Sequence, residues 1–60
     1  MEKIIQILMQ RDGLNHGEAE KVVRSCLHTI YMNLNDPEYC EEIWMEETGL
    51  EVDYLMEVLT

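Results

Sequence analysis

Nothing in this chain supplies the usual staples of a very small protein. Its sixty residues hold two cysteines, Cys26 and Cys40, and both fall in apolar helical stripes, where a free thiol behaves as a small hydrophobe. A bridge between them would need an oxidising compartment, and no secretion signal is recognisable, so both are read as reduced and buried. The soft metal ligands Cys26, His28, Cys40 and His16 show no CxxC, HxxxH or HxxE spacing that would set two of them on one helical face. No metal and no cofactor is expected. Gly13, Gly17 and Gly49 are scattered and form no phosphate-cradling loop. No run approaches the roughly 20 apolar residues that span a bilayer; the longest, Ile4 to Met9, is broken by Gln6. There is no internal repeat, no low-complexity tract and no linker, so residues 1–60 are read as a single helical domain placed in the cytoplasm.

Basic residues are also missing from the second half. Of the net charge of −9, all lies in residues 35–60, where Asp36, Glu38, Glu41, Glu42, Glu46, Glu47, Glu51, Asp53 and Glu57 stand without a lysine or arginine. Residues 1–34 balance Glu2, Asp12, Glu18 and Glu20 against Lys3, Arg11, Lys21 and Arg24. A field of one sign repels phosphate and anionic lipid, which argues against nucleic-acid and membrane binding and steers the chain toward basic surfaces. The same carboxylates also suit a merely solvated face that keeps a small protein soluble.

What is present is helical periodicity. Met1, Ile4, Ile5 and Leu8 recur at spacings of three and four, which predicts a helix over 2–11 stopped by Asp12-Gly13. Ile4, Ile5, Ile7, Leu8 and Met9 cover about 200° of its wheel, wider than a stripe that packs on one neighbour. Asn15 and Glu18 form a capping-box pattern, with Leu14 and Ala19 placed for a hydrophobic staple. The helix they open is read as far as Leu34, its stripe being Ala19, Val22, Val23, Cys26, Leu27, Ile30 and Leu34, with Lys21, Ser25, His28 and Met32 opposite. Asp36-Pro37 restarts the chain as N-cap and first helical residue. A third helix then carries Tyr39, Cys40, Ile43 and Trp44 inward as far as Gly49, with Leu50 folding back. Glu47 falls among the apolar positions of this helix and is expected to snorkel outward or else to pair with Arg24, Lys21 or an arginine of a binding partner. A fourth helix over 52–59 presents Val52, Leu55, Met56 and Leu59 on one face.

The fold expected is therefore all-α, a small bundle of three to four short helices. A chain this short buries only roughly 60% of its unfolded surface. With disulfide and metal set aside, a second subunit is the remaining source of stability, so a homodimer is expected through Ile4, Ile5, Leu8, Met9, Val23, Leu27 and Ile30. Four short helices leave little interior for a pocket that would shift a carboxylate's pKa, and neither His16 nor His28 has a nucleophile beside it; no enzyme activity is expected. The expected role is protein binding. Its candidate face is Glu38, Glu41, Glu42, Met45, Glu46, Tyr54 and Glu57, in which a flexible thioether and an aromatic sit within an acidic rim.

Two segments add a resemblance: RDGLNHGEAEKVV, Arg11 to Val23, and EEIWMEETGLEVDYLMEVL, Glu41 to Leu59. They resemble a group of short acidic phage and prophage proteins that show a helix start of the form RDGLSxEEAE and an ending of the form LGLEPDYLMDLL. The chain departs from that pattern at Val52, where the ending has proline, and at Asn15-His16-Gly17, where a stronger helix start is usual. Some short phage proteins of this kind, among them Hachiman-system inhibitors and anti-CRISPR proteins, block bacterial immunity by binding a defence protein. The resemblance implies an anti-defence inhibitor acting on a host protein with a basic surface, in the host cytoplasm. The competing expectation is a structural or assembly subunit of a phage, in which the wide apolar arc of the first helix builds an oligomer and the acidity only confers solubility.

Overall fold

A computed structural model describes residues 1–59. Among them the chain forms four helices and no strand, α1 (Glu2–Asp12), α2 (His16–Tyr31), α3 (Pro37–Thr48) and α4 (Val52–Leu59). The punctuation is local chemistry. Gly13 ends α1 in the left-handed region at φ 69°, which glycine reaches without the Cβ penalty. Asn15 accepts from the Glu18 backbone N–H at 2.8 Å while the Glu18 carboxylate accepts from the Asn15 N–H at 3.0 Å, a complete capping box. Asp36 accepts from the Tyr39 N–H at 3.2 Å, with Pro37 at the first helical position.

The second helix stops earlier than its periodicity suggests. Its last carbonyls are taken by tighter bonds: the Asn33 N–H donates to Ile30 O at 2.9 Å, and the Asn33 side chain donates to Thr29 O at 2.8 Å. The Cys40 thiol donates to Asn33 O at 3.1 Å. The chain therefore turns through 32–35, and Leu34 leaves the apolar stripe to stand 58% exposed.

Helix α2 is the central member, packed on α1 and on α3, while α4 packs on α3. The core joins Ile4, Ile5 and Leu8 of α1, Ala19, Val23, Cys26, Leu27 and Ile30 of α2, Cys40 and Trp44 of α3, and Leu50 and Leu55 beyond. This corrects the expected dimer surface. Ile4, Ile5, Leu8, Val23, Leu27 and Ile30 are all buried within one copy, and Met9 packs half-buried against the same core. The broad apolar arc of α1 is covered within its own chain, because Ile4, Ile5 and Leu8 join the shared core, chiefly against α2. Besides the packing on α2, Lys3 reaches α4 at Glu57 (3.9 Å) and lies over the Tyr54 ring, and Arg11 reaches the end of α3 at Thr48.

Trp44 is fully buried, and its indole N–H donates to Glu51 O at 2.9 Å, tying α3 to the start of α4. One turn on, the buried Thr48 hydroxyl donates to Trp44 O at 2.6 Å and accepts from the Leu50 N–H at 3.2 Å. The Thr48 carbonyl accepts from the Arg11 guanidinium at 2.7 Å, which brings a cation to the negative end of the α3 dipole. Gly49, at φ 69°, turns the chain here, and a Cβ on it would lie 2.9 Å from Arg11 Nη1.

Two stability outcomes follow from this junction. Trp44→Ala should cost about 3–5 kcal/mol, comparable to the whole stability of a domain this size at roughly 0.05–0.15 kcal/mol per residue, so circular dichroism should show an unfolded chain at room temperature. Gly49→Ala should cost about 2 kcal/mol, combining left-handed strain with displacement of Arg11. In an Arg11→Ala background the same change should cost only the strain, about 1 kcal/mol. Equal costs in the two backgrounds, measured by urea unfolding, would remove Arg11 from the account.

Candidate functional site

The nucleophiles and titratable rings decide what chemistry is open. Both cysteines are free and buried. The Cys26 thiol points to Ile43 O at 3.8 Å, while that of Cys40 is shared between Asn33 O at 3.1 Å and Ile30 O at 3.6 Å. Burial, with a smaller contribution from the negative charge of Glu47, pushes the Cys26 thiol up to about 11. That is the reverse of what an attacking thiolate needs. His16 lies in the first turn of α2, with Nε2 2.9 Å from a Glu2 carboxylate oxygen, and His28 is exposed on the outer face of α2. Among the described residues no group of three or more His, Cys, Asp or Glu is placed to hold a metal ion, and no helix is long and apolar enough to cross a membrane. What the molecule offers is surface.

That surface is dominated by α3. Cys40, Trp44 and Thr48 form its buried row at spacings of four, so Glu38, Glu42 and Glu46, at the same spacing, form a second row on the outer side. All three are exposed, as are Glu41, Glu47, Glu51, Asp53 and Glu57. The ion pairs are Lys3–Glu57, Arg11–Asp12, His16–Glu2 and Arg24–Glu20, so the Glu38–Glu42–Glu46 row has no cation partner among the described residues. The row is unfavourable to its own helix. Like charges four apart cost about 0.2–0.5 kcal/mol each, and Glu46 and Glu47 sit in the last turn, where the helix dipole is already negative. The outward option for Glu47 is the one realised. It is exposed beside a shallow depression shared with Lys21, Val22 and Ser25, with no ion pair to Arg24 or Lys21.

The seven residues read from sequence as one face are divided in space. Glu38, Glu42 and Glu46 stay together. Met45, 53% exposed, lies to one side against Gly49, Leu50, Glu51 and Val52. Tyr54 and Glu57 are drawn away toward α1. Tyr54 is half-buried with Lys3 Nζ 5.7 Å from its ring centroid, and the Glu57 carboxylate lies 3.9 Å from the same ammonium. Glu41 faces a different feature, an apolar groove of about 130 Å³ floored by Ile30 and Leu55 and edged by Leu34, Met56 and Leu59.

This groove was not apparent in the sequence. Periodicity sets Leu34 in the apolar stripe of a longer α2 and Met56 and Leu59 on one face of α4 with Val52 and Leu55, and Leu34, Met56 and Leu59 are 58%, 56% and 38% exposed. No sequence signal marked it, because α4 is an eight-residue helix that packs chiefly on α3, and that placement leaves part of an apolar face uncovered. Met32, placed on a polar arc from its position alone, is 71% exposed.

No family model, no curated protein and no solved structure matches this chain.

Two solution measurements test the electrostatics. Because the acidic half repels itself, raising ionic strength from about 0.01 M to about 1 M, which shortens the screening length from about 30 Å to about 3 Å, should raise Tm by several degrees, equivalent to about 1 kcal/mol. A flat Tm would show that the repulsion is already relieved. The raised Cys26 pKa means that the unfolded chain loses its thiol proton first as pH rises. Stability should therefore fall between pH 9 and about 11. The decline should be shallower in Cys26→Ala, followed by chemical unfolding across that range.

Proposed function

We propose that this chain is a non-catalytic protein-binding module, a phage-encoded inhibitor of a bacterial anti-phage defence protein that docks its acidic α3 face on a basic surface. The observation that carries the reading is the exposed Glu38–Glu42–Glu46 row, unpaired within the described chain and set in a segment without lysine or arginine. Net charge alone would give solubility wherever the charges stood. A single-sign row on one helix, held against its own repulsion and, at Glu46, against the helix dipole, instead builds a local potential that a cationic surface would relieve. If the target handles nucleic acid, the row would occupy a groove that otherwise takes phosphate. The anti-defence assignment is supported by the resemblance of Arg11 to Val23 and Glu41 to Leu59 to short phage proteins.

The assembly-subunit reading has lost its main support, because the apolar arc of α1 that was to build the oligomer is covered within one copy. A homodimer would have to use other residues. It would also bring two chains of charge −9 together, which opposes pairing through the acidic half.

The deciding experiment is capture by the tagged protein from a bacterial lysate at low and high salt. We expect a basic protein that is retained at low salt and released at high salt. Glu38→Lys/Glu42→Lys/Glu46→Lys, checked for helical circular dichroism, should weaken its binding by at least about 100-fold, or roughly 2.7 kcal/mol. Undiminished affinity in the folded triple variant would end the proposal. A large stable assembly in light scattering would favour the subunit reading instead.

A further inference from the structure

The apolar groove between the 32–35 turn, α3 and α4 has edges of a kind that ordinarily face a partner. Leu34, Met56 and Leu59 stand 58%, 56% and 38% exposed around a floor of Ile30 and Leu55, which are 1% and 3% exposed. The nature of the occupant follows from charge. Neither α3 nor α4 contains a lysine or arginine. Glu41 lines the groove, Glu38 lies one turn before it, and Asp53 lies one turn before Met56, so both helical walls have acidic rims. An acidic segment or an anionic lipid would be repelled. A second copy would add another chain of charge −9.

Length and backbone chemistry narrow the choice. Helix α4 runs along one wall for eight residues, about 12 Å, a little over two turns of a helix. The described residues contain no strand whose edge could receive an extended peptide. A helix satisfies its own backbone and needs only apolar anchors on one face, at spacings of three and four.

We propose that this groove binds a cationic amphipathic helix of a partner protein, seating apolar side chains against Leu34, Met56 and Leu59 and placing lysine or arginine over the Glu38, Glu41 and Asp53 rims. The inference rests on the protein-binding reading above and deepens it. The α3 row attracts a basic partner at long range, and the groove selects among basic partners those that present a helix with an apolar stripe.

The probe is a fluorescein-labelled peptide of leucine and lysine, about 14 residues or roughly four turns long, with its leucines on one helical face. A scrambled peptide of the same composition has no such face. Anisotropy titration should show the amphipathic peptide binding at least about tenfold tighter than the scrambled one, a difference of about 1.4 kcal/mol. NMR should show the shifted methyl groups at Leu34, Met56 and Leu59. Leu34→Ser/Met56→Ser, at two positions more than half exposed, should stay folded and lose that tenfold preference.

Equal binding of both peptides, no binding of either, or methyl shifts elsewhere would overturn the groove. So would self-association in sedimentation that Leu34→Ser/Met56→Ser abolishes, since a second copy would then be the occupant. The two proposals fail separately. If Glu38→Lys/Glu42→Lys/Glu46→Lys abolishes capture of the lysate protein while the serine variant captures it undiminished, acidic docking stands and the groove inference falls. If neither variant alters capture, both fall.

Discussion

The hydrogen bond from the Trp44 indole to the Glu51 carbonyl is short in sequence and wide in consequence. The indole supplies the largest fully buried side chain of the core, and its single polar atom can be buried only because a carbonyl of the next connection accepts from it. That requirement sets where the chain goes after α3. Thr48 and Gly49 serve the same end. The Thr48 hydroxyl takes up polar atoms at the end of α3, and Gly49 supplies the left-handed turn that lets Glu51 come back over the ring. With the connection pinned, α4 lies against α3, and the groove edged by Leu34, Met56 and Leu59 exists as a by-product of that placement.

Arg11 adds the link between the balanced half of the chain and the acidic half. Its guanidinium joins the Thr48 carbonyl to the Asp12 carboxylate and stands where α3 would otherwise end among carboxylates alone. The helix with the least favourable charge pattern is held by burial, through Cys40, Trp44 and Thr48 on one row. A surface potential of one sign can be carried on such a helix because packing, and not side-chain pairing on its outer face, keeps it folded. The link between fold and proposed function is physical: the buried row supplies the stability that the exposed row subtracts.

Much of the architecture was legible because it is written in local chemistry. The capping box of Asn15 and Glu18, the Asp36-Pro37 restart and the left-handed glycines at 13 and 49 are short-range devices, and each acts where its residues stand. The candidate site was less legible. Glu38, Glu42 and Glu46 share a face because one helix carries them, but Tyr54 and Glu57 lie on another helix, and Lys3, some fifty residues away in sequence, turns them toward α1. Leu34 was misplaced because periodicity continues past the point where α2 stops, the stop being made by Asn33 and the Cys40 thiol.

The sequence by itself determined that there are helical segments, the caps at Asn15 and Asp36, the left-handed glycines and the segregation of negative charge, since each depends on residues within a few positions of one another. Only the tertiary structure decided who covers what. A wide apolar arc on α1 looks identical whether a second copy or the rest of the chain lies against it, and here the core of the same chain does. Likewise an apolar face on α4 looks like core until the packing of the helices leaves one edge of it open. Periodicity reports which side of a helix avoids water, whereas burial depends on distances between segments remote in sequence, and those are set only when all the helices pack together.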